Sequence, residues 1–157
     1  MELCILWGFG TANACRVGMK MRVAIAVWGD EVATTFDFAG ELVVVEVADG
    51  CELGRDLLKL DGVEPDAKER YVVDLGVQVL LCGAISRRLM RWFRSDGVQV
   101  VPFVCGEVDE VLAAYLCGRL EDPRFLQAGC RPGVRMRWRH GAGRCSRKGG
   151  RRCQNAR

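Results

Sequence analysis

The sequence predicts an α/β fold in which three strands precede an alternation of three helices and two further strands. Apolar runs rich in β-branched residues occur at 21–30, 41–50, 77–82 and 98–104, and such runs are typical of buried strands. Segments with helical periodicity lie before, between and after the last two runs. This alternation favours parallel strands joined by right-handed helical crossovers. We therefore expect the first run and the last two to form a parallel centre.

The first three strands are expected to include one hairpin. MRVAIAVWGD (21–30) has the composition of a buried strand that ends at Gly29-Asp30. ELVVVEVADG (41–50) ends in Asp-Gly, a dipeptide typical of tight hairpin turns. Residues 51–60 are therefore expected to return antiparallel beside it as the third strand.

Three helices are predicted in the second half of the chain. Pro65 suits a first helical position, and an apolar stripe follows it until Gly76. Ser86 is a good N-cap for a second helix that runs to about residue 95. The third helix, 107–117, carries its apolar residues on one face.

The chain of 157 residues divides into an acidic part and a basic part. Residues 1–123 carry 12 Lys or Arg against 20 Asp or Glu, a net charge of −8, whereas residues 124–157 carry 11 Lys or Arg and no acid. The basic part is rich in Gly and Arg and has too few apolar residues to fold alone. We therefore expect an N-terminal extension at 1–20 outside the fold, a folded domain at 21–123, and a disordered basic tail at 124–157.

Two strands end in the same dipeptide. LLCGAIS contains Cys82-Gly83, and FVCGEVD repeats the form with Cys105-Gly106. If these strands are parallel neighbours, both cysteines lie at the carboxyl end of the sheet, where open α/β sheets bind their ligands. Glycines allow a ligand to approach the backbone closely. Two thiolates at one edge suit a soft metal or an iron–sulfur cluster.

The helix that follows the first Cys-Gly dipeptide could support an anionic ligand. Helix N-termini present N–H groups and a partial positive charge, and here Ser86 is followed by Arg87 and Arg88. The alternative is structural: cysteine is often a small core residue, and exposed arginines at a helix start cost little. The residues alone leave both interpretations open.

Several blocks of the sequence, in order, resemble a known family. These are MRVAIAV, VATTFDFAGELVVVEVADG, LGVQVLLCGAISRRL and GVQVVPFVCGEVDEVLAAYLCGRLEDPRFLQAGC. They resemble the dinitrogenase iron–molybdenum cofactor biosynthesis family, the NifX-like cluster-binding proteins, over about residues 21–130. The resemblance implies a ribonuclease H-like three-layer α/β/α fold with a mixed five-stranded sheet of order 3-2-1-4-5. It also implies a non-catalytic carrier of an iron–sulfur or iron–molybdenum cluster precursor.

The chain departs from the family at one motif. Many members carry His-Phe-Gly after the first strand, whereas this chain has Thr35-Phe36-Asp37. A histidine ligand is therefore absent from that position, which indicates a divergent branch. Cluster binding would then depend on Cys105, Cys82 and Cys130, with Gly83, Ser86, Arg87, Arg88 and Gly106 supporting the anionic charge.

Other functional classes are poorly supported. The first strand contains no acidic residue between 23 and 27, so two-metal nuclease chemistry lacks its carboxylates. The sequence has no P-loop, no GxGxxG and no GxSxG motif. Its one histidine, His140, lies in the tail, so a histidine-based catalytic triad within the folded domain is excluded. Since the resemblance also implies a non-catalytic carrier, we expect no enzyme activity.

The compartment and the partners follow from composition and from the resemblance. Nine cysteines, several inside apolar runs, favour a reducing, cytoplasmic environment, and no run is long enough for a membrane helix. The resemblance implies a cluster donor or acceptor protein as partner, and two copies could share an incompletely ligated cluster. The alternative function is an interaction module whose basic tail binds an acidic partner or nucleic acid.

Overall fold

The computed structural model describes residues 20–60 and 65–130. The strands are β1 Met21–Trp28, β2 Glu31–Val32, β3 Glu41–Ala48, β4 Cys51–Lys59, β5 Val79–Leu81 and β6 Gln99–Val101. The helices are α1 Pro65–Asp74, α2 Arg87–Ser95 and α3 Val108–Leu116, and short 3-10 turns occupy Phe36–Phe38 and Pro123–Phe125.

The strands form one mixed sheet in the order β4-β3-β1-β5-β6. β1 is antiparallel to β3, and β3 is antiparallel to β4, whereas β1, β5 and β6 are parallel. Counted without the two-residue β2, this is the predicted order 3-2-1-4-5, so the predicted fold class and the parallel centre are confirmed. β2 is an addition that the sequence did not indicate; it pairs antiparallel with the end of β1 through Val27 and Val32.

Helices cover both faces of the sheet. Val23, Ile25 and Val27 of β1 pack with α3 on one face, whereas Ala24 and Ala26 pack with residues of α1 and α2 on the other. Successive strand residues point to opposite faces, and a strand covered on both sides must be apolar at every position. This is why β1 is a continuous apolar run.

β4 is an outer strand of the sheet and is mostly exposed, with Leu53 and Leu57 more than half accessible. A register shift next to Glu46 interrupts its pairing with β3. Arg55 ties this edge to α3 by pairing with Glu52 and with Asp109. Bulges and charged side chains are common protections of an edge strand.

Residues 124–130, which composition assigns to the tail, pack on the fold. Phe125 is buried with 1% exposure, and Val104 bridges antiparallel to Leu126. One large aromatic side chain and a short backbone pairing anchor the segment, and a Gly/Arg-rich composition does not reveal such an anchor. The folded domain therefore continues to about residue 130 instead of 123.

Two of the predicted segments fall beyond these limits. Residues 1–19 of the N-terminal extension and residues 131–157 of the tail lie outside the described residues. The place of the extension outside the fold and the disorder of the tail therefore stay predictions. Within the described part, none of the helices has the length and apolar character needed to cross a membrane.

Candidate functional site at the carboxyl end of the sheet

The two Cys-Gly dipeptides lie side by side at one end of the sheet. β5 and β6 are parallel neighbours, so the segments that follow them leave from the same edge. The backbone N–H of Val104 donates to the carbonyl of Cys82 at 2.9 Å, and that of Phe103 donates to the carbonyl of Gly83 at 2.9 Å. The adjacency expected from the sequence is therefore present, and the two thiols differ in their surroundings.

Cys82 is a core residue in this structure. Its exposure is 0%, and it packs with residues of the α1/α2 face. Burial raises the pKa of the Cys82 thiol well above its ordinary value, and the nearby carboxylate of Asp37 raises it further. Because metals bind the thiolate, these surroundings disfavour Cys82 as a ligand.

Cys105 and Cys130 are both partly exposed. The backbone N–H of Cys105 donates to the carbonyl of Phe125 at 3.1 Å, and its thiol donates weakly to the carbonyl of Arg124 at 3.6 Å. The N–H of Gln127 donates to the carbonyl of Phe103, and the N–H of Cys130 donates to the carbonyl of Gln127, each at 3.0 Å. Backbone contacts therefore attach both cysteines to the β6 end of the sheet.

The described residues do not gather three ligands at one point. Among residues 20–60 and 65–130, no group of three or more His, Cys, Asp or Glu side chains is placed to hold a metal ion. The three-cysteine site remains a prediction from the sequence, with two accessible thiols and one buried thiol.

Gly83 makes room for the protein's own backbone. A Cβ atom at this position would lie well inside van der Waals contact of the carbonyl oxygens of Ala33 and Thr34. The loop 33–37 therefore fills the space above Gly83 that the sequence suggested for a ligand. A residue larger than glycine would fit at this position only if the backbone of the loop 33–37 moved.

The predicted anion-supporting residues of α2 have partners within the chain. Ser86 caps the helix by accepting from the N–H of Leu89 at 3.5 Å, and its own N–H donates to Asp37 Oδ2 at 3.0 Å. Arg88 pairs with the buried Glu69 of α1 at 2.8 Å, so it joins the two helices. Arg87 is exposed.

Glu69 makes Arg88 a stabilising residue, which leads to a prediction. Glu69 is 4% exposed, and its Oε1 has no hydrogen-bond partner in the described part of the chain besides this ion pair. Arg88→Ala should lower the free energy of unfolding at pH 7 by about 1–2 kcal/mol, because a buried carboxylate is left uncompensated. Urea denaturation of the wild type and of Arg88→Ala at pH 7 measures the difference.

Arg87→Ala is the matched control for this prediction. Arg87 lies one residue away in the same first helical turn and is exposed, so its removal should change stability by no more than about 0.5 kcal/mol. Equal losses of stability in the two variants would contradict the assigned role of Glu69.

Gly106 has a backbone conformation that favours glycine. Its φ is +116°, and its carbonyl accepts from the N–H of Val32 at 3.0 Å. The following helix, α3, carries Asp109 and Glu110 in its first turn. These carboxylates already supply negative charge at the start of α3. This end therefore suits a cation better than the anionic ligand that the sequence predicted.

Sequence reasoning missed three residues that shape this edge. Asp37 was noted only as a departure from a motif, yet it bonds the N-terminus of α2. Phe125 anchors the segment beside Cys105, and Gln127 Nε2 donates to the carbonyl of Thr34 at 3.0 Å. Each contact joins residues distant in sequence. The one signal available in the sequence was the aromatic residue of Asp122-Pro123-Arg124-Phe125, which could have indicated a buried anchor.

Comparison with known proteins supports this description of the fold. The crystal structure of PH0822 is similar over 63% of this chain and 91% of that chain, with 26% identity and a TM-score of 0.61. A proposed dinitrogenase from Methanocaldococcus jannaschii is 20% identical over 64% of this chain and 92% of that chain, with a TM-score of 0.56. The apo form of the orange protein from Desulfovibrio gigas is 21% identical over 63% and 89%, with a TM-score of 0.53.

The family is shown by sequence as well as by fold. Curated proteins provide no significant match to this chain. The family model described as dinitrogenase iron-molybdenum cofactor matches residues 19–118, which include both Cys-Gly dipeptides and the whole sheet. The resemblance noted in the sequence is thereby confirmed, and the chain belongs to the dinitrogenase iron–molybdenum cofactor family.

Proposed function

We propose that this protein binds and carries an iron–sulfur or iron–molybdenum cluster precursor and catalyses no reaction, with Cys105 as the principal ligand. The observation that carries the proposal is the partly exposed Cys105, which follows the carboxyl end of the parallel strand β6. This is where open α/β sheets bind ligands. Membership of a family concerned with dinitrogenase cofactor supports the type of cargo.

Cys130 is proposed as the second ligand. It is partly exposed and attached to the same end of the sheet through Gln127. Thiolates bind iron–sulfur clusters, and Cys82 contributes less because its burial disfavours the thiolate. Two thiolates leave a cluster with open positions. A second copy of the chain, or the donor or acceptor protein, would complete them.

The state of the cysteines is consistent with a cytoplasmic location, which forms part of the proposal. The five cysteines in the described part of the chain are all unpaired thiols. Disulfides are rare in reducing compartments, and thiolate ligands must be kept reduced to receive a cluster.

Anaerobic reconstitution of the full chain with iron and sulfide tests the proposal. We expect the wild type to retain iron after desalting, Cys105→Ala to lose nearly all of it, and Cys130→Ala to lose a large part. Cys117→Ala is the matched control, because Cys117 is exposed at the end of α3 and should not affect the iron content. Iron retained in Cys105→Ala at the wild-type level would overturn the proposal.

A second variant distinguishes the alternative function from the proposed one. The charge of the last 34 residues favours binding of an acidic partner or nucleic acid by the tail. Deletion of 131–157 should leave iron binding intact if the proposed function is correct. If iron binding were absent in every variant while salt-sensitive binding to single-stranded DNA disappeared with this deletion, the tail would be the functional part.

A further inference from the structure

The N-terminus of α2 is covered by a loop of the same chain. Thr35 forms a parallel bridge with Ala84. The N–H of Phe36 donates to the carbonyl of Ala84, and the N–H of Ala84 donates to the carbonyl of Thr34, each at 2.8 Å. The loop 33–37 therefore runs beside the loop 83–86 like an additional strand, next to the carboxyl end of β5.

This loop delivers a carboxylate to the helix start. Asp37 Oδ2 accepts from the N–H of Ser86 at 3.0 Å. The N–H groups at a helix N-terminus, together with its partial positive charge, are the features that bind anions in proteins. Here the chain itself supplies the anion. Asp37 also acts electrostatically on the thiol of Cys82, so the carboxylate lies near the first Cys-Gly dipeptide.

The space above Gly83, beside the helix start, is occupied by backbone. Gly83 lies against the carbonyl oxygens of Ala33 and Thr34, so a ligand could approach Gly83 only by displacing the loop. Displacement would break the bridge between Thr35 and Ala84 and the bond to Ser86. Backbone therefore closes the space at Gly83, whereas at the N–H of Ser86 the carboxylate of Asp37 opposes an anionic ligand.

We infer that Asp37 is a specificity-determining residue whose carboxylate occupies the anion-binding position of α2 and excludes anionic ligands from it. The inference does not depend on whether the chain carries a cluster. If the proposed function is correct, it adds that cargo is directed away from Cys82 and towards Cys105.

Titration of the full chain with sulfate at constant ionic strength tests this inference. The readout is the backbone amide resonance of Ser86 in a 15N–1H correlation spectrum, with the amide of Val111, inside α3, as an internal reference. In the wild type the Ser86 resonance should not move more than that of Val111. In Asp37→Ala, where carboxylate and bulk are removed, it should move saturably with sulfate.

Two further variants sharpen the test. Asp30→Ala is the matched control, because Asp30 is an exposed acid near the start of α3 whose backbone carbonyl, and not its side chain, accepts from Val108; it should behave as the wild type. Asp37→Asn keeps the shape of the side chain and should permit weaker sulfate binding than Asp37→Ala.

Either of two outcomes would overturn the inference. The first is a saturable shift of Ser86 in the wild type, a result that does not require any variant to fold. The second is the absence of a shift in both Asp37 variants when circular dichroism shows that they are folded. Because iron is not involved, failure here is distinguishable from failure of cluster binding.

Discussion

Gly83→Ala is expected to lower the free energy of unfolding by about 3 kcal/mol or more, at the upper end of the range for overpacking in a close-packed interior. The added methyl group would overlap the carbonyl oxygens of Ala33 and Thr34. Backbone cannot rotate away as a flexible side chain can, so the loop 33–37 must move. That movement would also weaken the pairing of Thr35 with Ala84 and the bond from Ser86 to Asp37.

Urea denaturation under reducing conditions measures this effect, and Gly54→Ala is the matched control. Gly54 lies on the exposed edge strand β4, and a methyl group there would meet no atom within 4 Å. With no positive φ to strain it, the substitution should be neutral or stabilise the protein by up to about 1 kcal/mol. Similar stabilities for Gly83→Ala and the wild type would show that the loop yields easily and does not close this edge.

The fold was predictable from the sequence because its signals are local. The continuous apolar run of β1 indicated a buried strand, and the structure shows that its two faces are both covered. The Asp49-Gly50 turn indicated the hairpin of β3 and β4, and both of its residues have positive φ in the structure. β2 was missed because two residues carry no periodicity, and its pairing with β1 depends on the turn at Gly29.

The candidate site was predictable only in part, because its contacts are long-range. The parallel order of β5 and β6 placed Cys82 and Cys105 at one edge as expected. Whether a cysteine at the end of a strand points into the core or towards solvent depends on the neighbouring segments, and the sequence pattern is the same for both. The partners of Ser86 and Arg88, which are Asp37 and Glu69, come from other elements, and no local spacing indicates them.

Phe125→Ala is expected to destabilise the protein by about 3–5 kcal/mol, the usual cost of removing a buried aromatic side chain. Phe125 is 1% exposed, and its ring lies against Gly106 and near Val111. Its carbonyl accepts from the N–H of Cys105. Loss of the ring should therefore loosen the segment 123–130 and the backbone of Cys105 together. This segment, including Cys130, lies beyond the residues that match the family model.

Two measurements test the Phe125 prediction. Urea denaturation gives the stability, and hydrogen exchange of the Cys105 amide should become much faster in Phe125→Ala. Arg124→Ala is the matched control, because Arg124 is exposed and its guanidinium lies 4.5 Å from the centre of the Phe125 ring; its loss should cost no more than about 1 kcal/mol. A Phe125→Ala variant as stable as this control would mean that the fold ends before residue 124. The protein would then have no fixed position for Cys130, and Cys105 would be left as its one accessible thiol attached to the β6 end of the sheet.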